Sequence, residues 1–365
     1  MTGEPMRIGA LDIEVPIVCA PMAGGPTTPA LVRAIAEAGG LGMLAAGYLT
    51  AAALAPLVEE VDEATEGRYG VNLFLPGRDV LEDASDPLAA DVTNYRRRLA
   101  RYADRYGVEV GEPRWFDEDI AAKVSVLADH RPALVTVTFG DPGPDLVERI
   151  HREVGAAVGV TVTSVIEAHA AVASGADLLI AQGIEAGGHR GIWTDDPRDP
   201  LGGPGLGSHD LVAELAAAQD LPVIAAGGLM SGADIVAVRG AGAIGAQLGT
   251  AFLRADEAGT SVVHRTALAD HNRAGEPETV ITRAFSGRPA RSLATSFAED
   301  NADAPAAYPQ VHYMTKPIRA AAASAGVADD VNLWAGTGWR RARTGSAAAI
   351  VDRVRAEMAD PDRRT

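Results

Sequence analysis

From Pro16 to about Leu253 the chain repeats one rhythm: a short apolar run, glycine-rich punctuation, then an Ala/Leu/Val-rich stretch with helical spacing. The apolar runs begin at Ile17 (IVCA), Leu41 (LGMLAA), Tyr69 (YGVNLFL), Leu134 (LVTVT), Ala157 (AVGVTVT), Leu178 (LLIAQ), Val223 (VIAA) and Ala243 (AIGAQL). Each is too short for a helix, and most do not alternate apolar with polar, as expected of strands buried on both faces. Amphipathic segments such as Pro29–Ala38 and Asp117–His130 separate them. Most strand-to-strand steps are about 20 to 28 residues, the length of a βα unit. Eight such units predict an α/β protein with a closed (β/α)8 TIM barrel, whose usual size is about 250 residues. An open doubly wound sheet is the competing architecture.

Two gaps break the rhythm. Residues 78–116, after the third strand, hold a charged, helix-like insertion (DVTNYRRRLARYADRYG) whose arginines read as a solvated face. Residues 183–221, after the sixth strand, form a Gly/Pro/Asp-rich loop, and excursions of this length usually serve as lids or walls. Beyond the barrel, TVITRAFSGRPAR reads as extended chain plus turn, and Pro317–Gly326 as a short Ala-rich helix. No linker composition intervenes, so residues 256–358 are expected to pack back on a barrel of about residues 14–255, making 1–365 one domain. Residues from Ala359 to the end read as disordered.

Composition narrows the classes of function. One cysteine in 365 residues excludes an internal disulfide framework and a cysteine-based metal cage, and suits a reducing cytoplasm. A net charge of −17 argues against nucleic acid or an anionic membrane as partner. No apolar run approaches the roughly 18 residues of a membrane span, and MTGEP begins neither basic nor apolar. The 40 glycines are the unusual feature: without a collagen period, they mark backbone positions where a side chain does not fit.

Barrel enzymes carry their sites at the carboxyl ends of the strands. The first strand ends in Ala20-Pro21-Met22-Ala23-Gly24-Gly25, a surface against which a flat aromatic cofactor can lie; an ordinary βα turn would look the same. The seventh ends in Ala226-Gly227-Gly228, with Ser231 placed to cap the next helix. The eighth ends in Gln247-Leu248-Gly249-Thr250, followed by a short AFLRA helix. Loops after strands seven and eight with a short helix N-terminus are the usual phosphate site of such barrels, and tight helix–strand packing is the other explanation for their glycines. Gly240-Ala-Gly-Ala-Ile-Gly245 spells a dinucleotide fingerprint but runs from a helix into a strand, the reverse of what that motif requires.

The sixth strand ends in Gln182-Gly-Ile-Glu185-Ala-Gly-Gly-His189-Arg190-Gly191. Glu185 and His189 have metal-like spacing, but Gly187 and Gly188 between them oppose a helix, and no second histidine pair exists; no metal is expected. Cys19 lies inside the first strand and reads as a core residue. His189, presented by glycine backbone at a strand end, is the candidate base: imidazole titrates in the range that suits removing a proton from carbon beside an electron-withdrawing group. The other seven histidines sit in helical or polar segments. Asn72 and Gln182 place amides at strand ends, where they either satisfy buried backbone or bind the edge of a polar ring.

Together PIVCAPMAGG, GVNLF, AQGIEAGGHRG, VIAAGGL, AQLGTAFL, SGRPAR, YPQVHYMTKPIRAAAASAG and LWAGTGWR resemble the nitronate monooxygenase (2-nitropropane dioxygenase) family over nearly the whole chain. The resemblance implies a cytoplasmic FMN-dependent TIM-barrel enzyme, monomer or homodimer, which oxidises alkyl nitronates or nitroalkanes with O2. It implies that Met22, Ala23, Asn72, Gln182, Gly187, Gly188, Gly227, Gly228 and Gln247, Leu248, Gly249 and Thr250 hold FMN, with the phosphate at the last group. It makes His189 the catalytic base and sets Tyr308 and Lys316 near the substrate. His312 stands where another aromatic ring is expected. A flavin-dependent enoyl-acyl-carrier-protein reductase using NAD(P)H resembles the same barrel and histidine loop. A non-catalytic flavin-binding protein and a flavin-free sugar-phosphate isomerase are alternatives from other classes.

Overall fold

The computed structural model describes residues 5–83, 85–270 and 278–360. Eight parallel strands close into a barrel: β1 (Ile17–Cys19), β2 (Leu41–Ala45), β3 (Tyr69–Phe74), β4 (Leu134–Thr138), β5 (Ala157–Val162), β6 (Leu178–Gln182), β7 (Val223–Ala226) and β8 (Gly245–Leu248). β8 pairs back onto β1 through Gln247 opposite Val18, which excludes the open sheet. The apolar runs do alternate, but between two buried faces. In LVTVT, Val135 and Val137 point outward to helix residues such as Leu127 and Val58, while Thr136 and Thr138 point inward.

The interior divides by height. Toward the amino ends, Val18, Leu41, Met43, Leu134, Leu178 and Ile224 fill the lumen. An antiparallel hairpin, Met6–Ile8 with Leu11–Ile13, closes that end by adding Met6, Ile8 and Ile13 to the same cluster. Toward the carboxyl ends the inward residues turn polar (Asn72, Thr136, Thr138, Thr161, Gln182 and Gln247), and a cavity opens.

The insertion after β3 contains the helix Pro87–Tyr106, started by the Asp86 side chain accepting from Leu88 N–H and ended by Gly107 in the left-handed region. Its buried stripe of Val92, Tyr95, Leu99, Tyr102 and Ala103 has helical spacing and packs on Phe285, Phe297, Val311, Met314 and Ile318 of the C-terminal extension, a second core beside the barrel's. Its arginines are not simply solvated. Arg98, Arg101 and Arg105 reach Asp303, Asp300 and Asp330 of the extension, and the Asp330 carboxylate, 1% exposed, also accepts from Tyr106.

The extension helix runs Gln310–Ser324, so it begins seven residues before the proline expected to start it. Pro317 sits inside, and the chain at Gly111 lies over that turn: Gly111 N–H donates to the Met314 carbonyl at 3.0 Å. A Cβ on Gly111 would stand 2.1 Å from the Tyr313 carbonyl oxygen, so glycine is required for the close approach. The expected disorder from Ala359 fails at its first residue, which closes the helix Ala347–Ala359; residues 361–365 lie outside the described residues. No helix among the described residues is long and apolar enough to cross a membrane.

Candidate active site

The cavity at the carboxyl mouth of the barrel measures about 320 Å³, within the range of cofactor and small-ligand sites. Met22, Ala23, Asn72, Gln182, Gly187, Gly188, His189, Gly227, Gly228, Gln247, Gly249 and Thr250 all line it. Three other expected residues stand elsewhere. Leu248 points outward into the core under the helices, as strand alternation demands when Gln247 points in. Tyr308 backs the site, its ring 5.7 Å from that of His189. Lys316 is exposed, and Arg319, about one turn further along the same helix, takes the place on the cavity wall.

His189 is held from three sides. With Gly188 it forms a two-residue strand paired to Arg291 and Ala290 of the extension strand Ala290–Leu293. Gln182 anchors the loop with both ends of its amide: Nε2 donates to the His189 carbonyl at 3.0 Å and Oε1 accepts from Gly191 N–H at 2.7 Å. Of the two roles open to Gln182, satisfying backbone is therefore the one observed. His189 Nε2 lies 2.9 Å from the Ser286 hydroxyl, which in turn donates to the Arg288 carbonyl at 3.2 Å. A hydroxyl has one proton. With that proton on the carbonyl, Ser286 accepts from His189 Nε2–H, and the network assigns Nδ1 the free lone pair.

Around this imidazole stand Phe139, Tyr308 and Trp334, with ring centroids 5.8, 5.7 and 5.5 Å away. Burial pushes its pKa down to about 3, helped by the nearby charges of Arg288 and Arg319. The Arg288 guanidinium lies 4.0 Å over the Phe139 ring and donates to the carbonyls of Arg190 and Ile192. Arg319 donates to Thr315 Oγ1, Asn332 Oδ1 and His312. Among the described residues neither arginine pairs with a carboxylate, so the pocket is positive inside an acidic molecule.

Asn72 Nδ2 donates to Thr136 Oγ1 and Thr138 Oγ1, both at 2.9 Å, leaving its Oδ1 for a ligand. Ala226 and Gln247 are in register on β7 and β8, so Gly227-Gly228 and Gly249-Thr250 leave the sheet side by side. Thr250 Oγ1 accepts from Gly336 N–H at 2.9 Å and keeps its own proton for an anion. Two details differ from expectation. The turn after β8 is a single 3-10 turn, Thr250–Phe252, instead of a short α-helix, so individual N–H groups and the hydroxyl take the place of a helix end. The glycines also serve packing: a Cβ on Gly187 would meet Gly336 N at 2.4 Å, and one on Gly228 (φ +72°) would meet Glu185 Cβ at 2.9 Å. Glu185 itself accepts from Ser208 N–H, at the start of the helix Ser208–Ala218, and no metal-binding cluster exists among the described residues.

Several residues of the site went unnoticed in the sequence: Tyr48, Phe74, Phe139, Arg319 and Trp334 on the cavity wall, and Ser286 and Arg288 behind it against His189 and Phe139. Tyr48, Phe74 and Phe139 follow or end β2, β3 and β4, so extending the strand-end rule beyond glycine finds them. Tyr48 (φ +67°) and Phe139 (φ +86°) occupy the left-handed region, unusual for aromatic residues and a mark of a constrained site. The buried Glu118–Lys123 pair secures the first: Glu118 Oε2 accepts from Tyr48 N–H at 3.2 Å and from Lys123 Nζ at 3.1 Å.

Comparison with known proteins agrees with this geometry. The nitronate monooxygenase family model matches residues 6–357. A probable nitronate monooxygenase of Staphylococcus saprophyticus is 35% identical over 350 residues, 95% of each chain, and one from Staphylococcus aureus is 35% identical over 349 residues, 94% of each. Among solved structures, a nitroalkane oxidase from Streptomyces ansochromogenes superposes with a TM-score of 0.89 at 44% identity, covering 96% of this chain and 97% of that one. FabK from Thermotoga maritima gives 0.71 at 25% identity, covering 96% and 94%. The barrel, the EAGGHRG loop and the full-length match lead to one conclusion: this chain belongs to the nitronate monooxygenase family of oxidoreductases.

Proposed function

We propose that the protein binds flavin mononucleotide and uses O2 to oxidise alkyl nitronates, such as propionate 3-nitronate, to carbonyl compounds and nitrite, with neutral nitroalkanes as slower substrates. The single free cysteine, buried in β1, suits a reducing compartment such as the cytoplasm. The residues present fit the cofactor: Asn72 Oδ1 and the Gln247 amide offer polar edges, Met22 and Ala23 a flat wall, and Gly227-Gly228 with Gly249-Thr250 a corner for the phosphate. When bound, the flavin supplies one-electron oxidation of an electron-rich carbon and hands electrons to O2.

The observation that carries this reading is a neutral, oriented histidine beside two guanidiniums that lack carboxylate partners. A nitronate is an anion, and Arg319 on the cavity wall, with Arg288 behind Phe139, supplies the field that holds it; burial and these charges keep His189 in its neutral form. For a neutral nitroalkane, His189 Nδ1 removes the proton from the carbon bearing nitrogen. Ser286 keeps Nε2–H in place, and the arginines stabilise the anion that results. The aromatic wall of Phe139, Tyr308 and Trp334 keeps water from the carbon.

The test is the visible spectrum of the purified protein, followed by O2 uptake and nitrite release with propionate 3-nitronate. A yellow protein that consumes O2 in proportion to nitrite supports the reading. Colourless protein that takes up no FMN, or yellow protein without O2 uptake, overturns it. So does rapid anaerobic bleaching by NADH followed by turnover of an enoyl thioester.

A further inference from the structure

His312 and Arg319 lie seven residues apart on the helix Gln310–Ser324, two turns and therefore one face, and both line the cavity. His312 is 8% exposed and stacks flat on Tyr48, with ring centroids 3.9 Å apart and planes 7° from parallel. Arg319 Nη2 donates to His312 Nδ1 at 3.3 Å and to the His312 carbonyl at 3.2 Å. An imidazole nitrogen that accepts a hydrogen bond carries no proton, so in the neutral ring the proton sits on Nε2. That N–H has no partner among the described residues. Arg319 is likewise underused: Nε goes to Thr315 Oγ1 and one Nη1 hydrogen to Asn332 Oδ1, leaving an Nη1 hydrogen without an acceptor among the described residues.

His189 and His312 therefore present opposite faces to the cavity. His189 offers a lone pair, oriented by Ser286, and His312 offers an N–H, oriented by Arg319. We propose that His312 Nε2–H and the free Arg319 N–H form an oxyanion clamp that binds the planar nitro or nitronate group of the substrate through its oxygens, turning the adjacent carbon toward His189. The group recognised is a planar, delocalised oxyanion; a neutral carbonyl would use the N–H but not the guanidinium. The guanidinium also holds His312 in its neutral tautomer, since a second positive charge beside it is disfavoured; burial and Arg319 both push the His312 pKa well below its usual value. Tyr48 completes the clamp by fixing the plane of the imidazole. The assignment of the clamp to a nitro group rests on the function proposed above, but oxyanion binding can be measured without turnover.

Nitrate is a planar oxyanion that is not a substrate, and its binding to the purified protein is read by calorimetry. His312→Phe keeps the stack on Tyr48 but removes the N–H, and Arg319→Gln removes the charge; each is expected to weaken nitrate binding roughly 10-fold or more, as for hydrogen bonds to a charged group. His312→Gln restores an N–H donor and should stay within about 3-fold of the parent, with the KM for nitronate following the same order while kcat changes less. Unchanged thermal midpoints show that the variants are folded. Nitrate affinity unchanged in His312→Phe, or equal loss in His312→Phe and His312→Gln, overturns the clamp even if nitronates are turned over. Nitrate binding that falls in His312→Phe and is kept in His312→Gln, in a parent protein that oxidises no nitronate, leaves the clamp standing and overturns the proposed function instead.

Discussion

At the scale of single residues, what decides the chemistry is the partner of each imidazole nitrogen. Because Ser286 directs His189 Nδ1 toward the cavity, His189→Asn should reduce turnover of neutral nitroalkanes far more than of preformed nitronates, which need no proton removed. Equal loss on both substrates, in steady-state O2 uptake, would make His189 a binding group. Ser286→Ala should act in the same direction but less, about 10-fold on kcat/KM for nitroalkanes, since it loosens the base without removing it. Burial also ties three histidines to stability. His189 is lowered to about 3, His264 to about 4, and His312 well below its usual value, in each case chiefly by desolvation. Folded, they refuse protons that the unfolded chain accepts below about pH 6.5. Their contribution is thus fully present above that pH and is lost as pH falls from about 6.5 toward 4, on the order of 1 kcal/mol per histidine by pH 5.5. A melting series from pH 7.5 to 5 should show this fall, and His264→Gln should flatten it. His189 was legible in the sequence because glycines present it at a strand end. Arg319 and Ser286 come from the extension, where no strand-end rule applies; there His312 showed only as a departure from an expected aromatic ring, and the lysine one turn before Arg319 drew the substrate role instead.

Among the elements, the helices Pro87–Tyr106 and Gln310–Ser324 make one unit whose inner seam is apolar and whose far face lines the cavity. Both were visible as helical stretches, yet their partnership was not. The arginines that suggested a solvated face bridge to acids scattered through the extension, and sequence spacing does not reveal a pairing across some two hundred residues. The proline that suggested a helix start lies inside the helix, at a turn where Gly111 packs closely and donates to the Met314 carbonyl. Leu99 is fully buried in the seam. Leu99→Ala should destabilise the fold by about 2–5 kcal/mol, the range for deleting a buried leucine side chain. Because the seam positions His312 and Arg319, it should also raise the KM for the proposed nitronate substrate while leaving FMN affinity nearly intact, since the proposed phosphate corner lies on β7 and β8. A chemical unfolding curve and a flavin titration on the same variant separate the two effects.

For the whole molecule, the informative contrast is between a net charge of −17 and a cavity that Arg319 lines and Arg288 backs behind Phe139. The acidic surface was plain from composition, and it was read as excluding polyanionic partners. What composition hides is that the proposed anionic substrate would cross an acidic exterior to reach Arg319, with Arg288 behind the wall. Exterior charges act through water and are screened by salt, while the buried guanidiniums, shielded from solvent, are screened much less. Between about 10 and 150 mM salt the screening length falls from roughly 30 Å to roughly 8 Å, enough to quench most of the surface field but little of the pocket's. The encounter rate for an anion should therefore rise with salt while its affinity in the pocket changes little. This appears as an increase in kcat/KM for propionate 3-nitronate, with kcat steady. A neutral nitroalkane, blind to the surface field, should show no such rise and serves as the internal control. If kcat/KM for the nitronate falls with salt instead, the field that guides substrate is attractive along the whole approach, and the positive region extends beyond the two arginines to the mouth of the barrel.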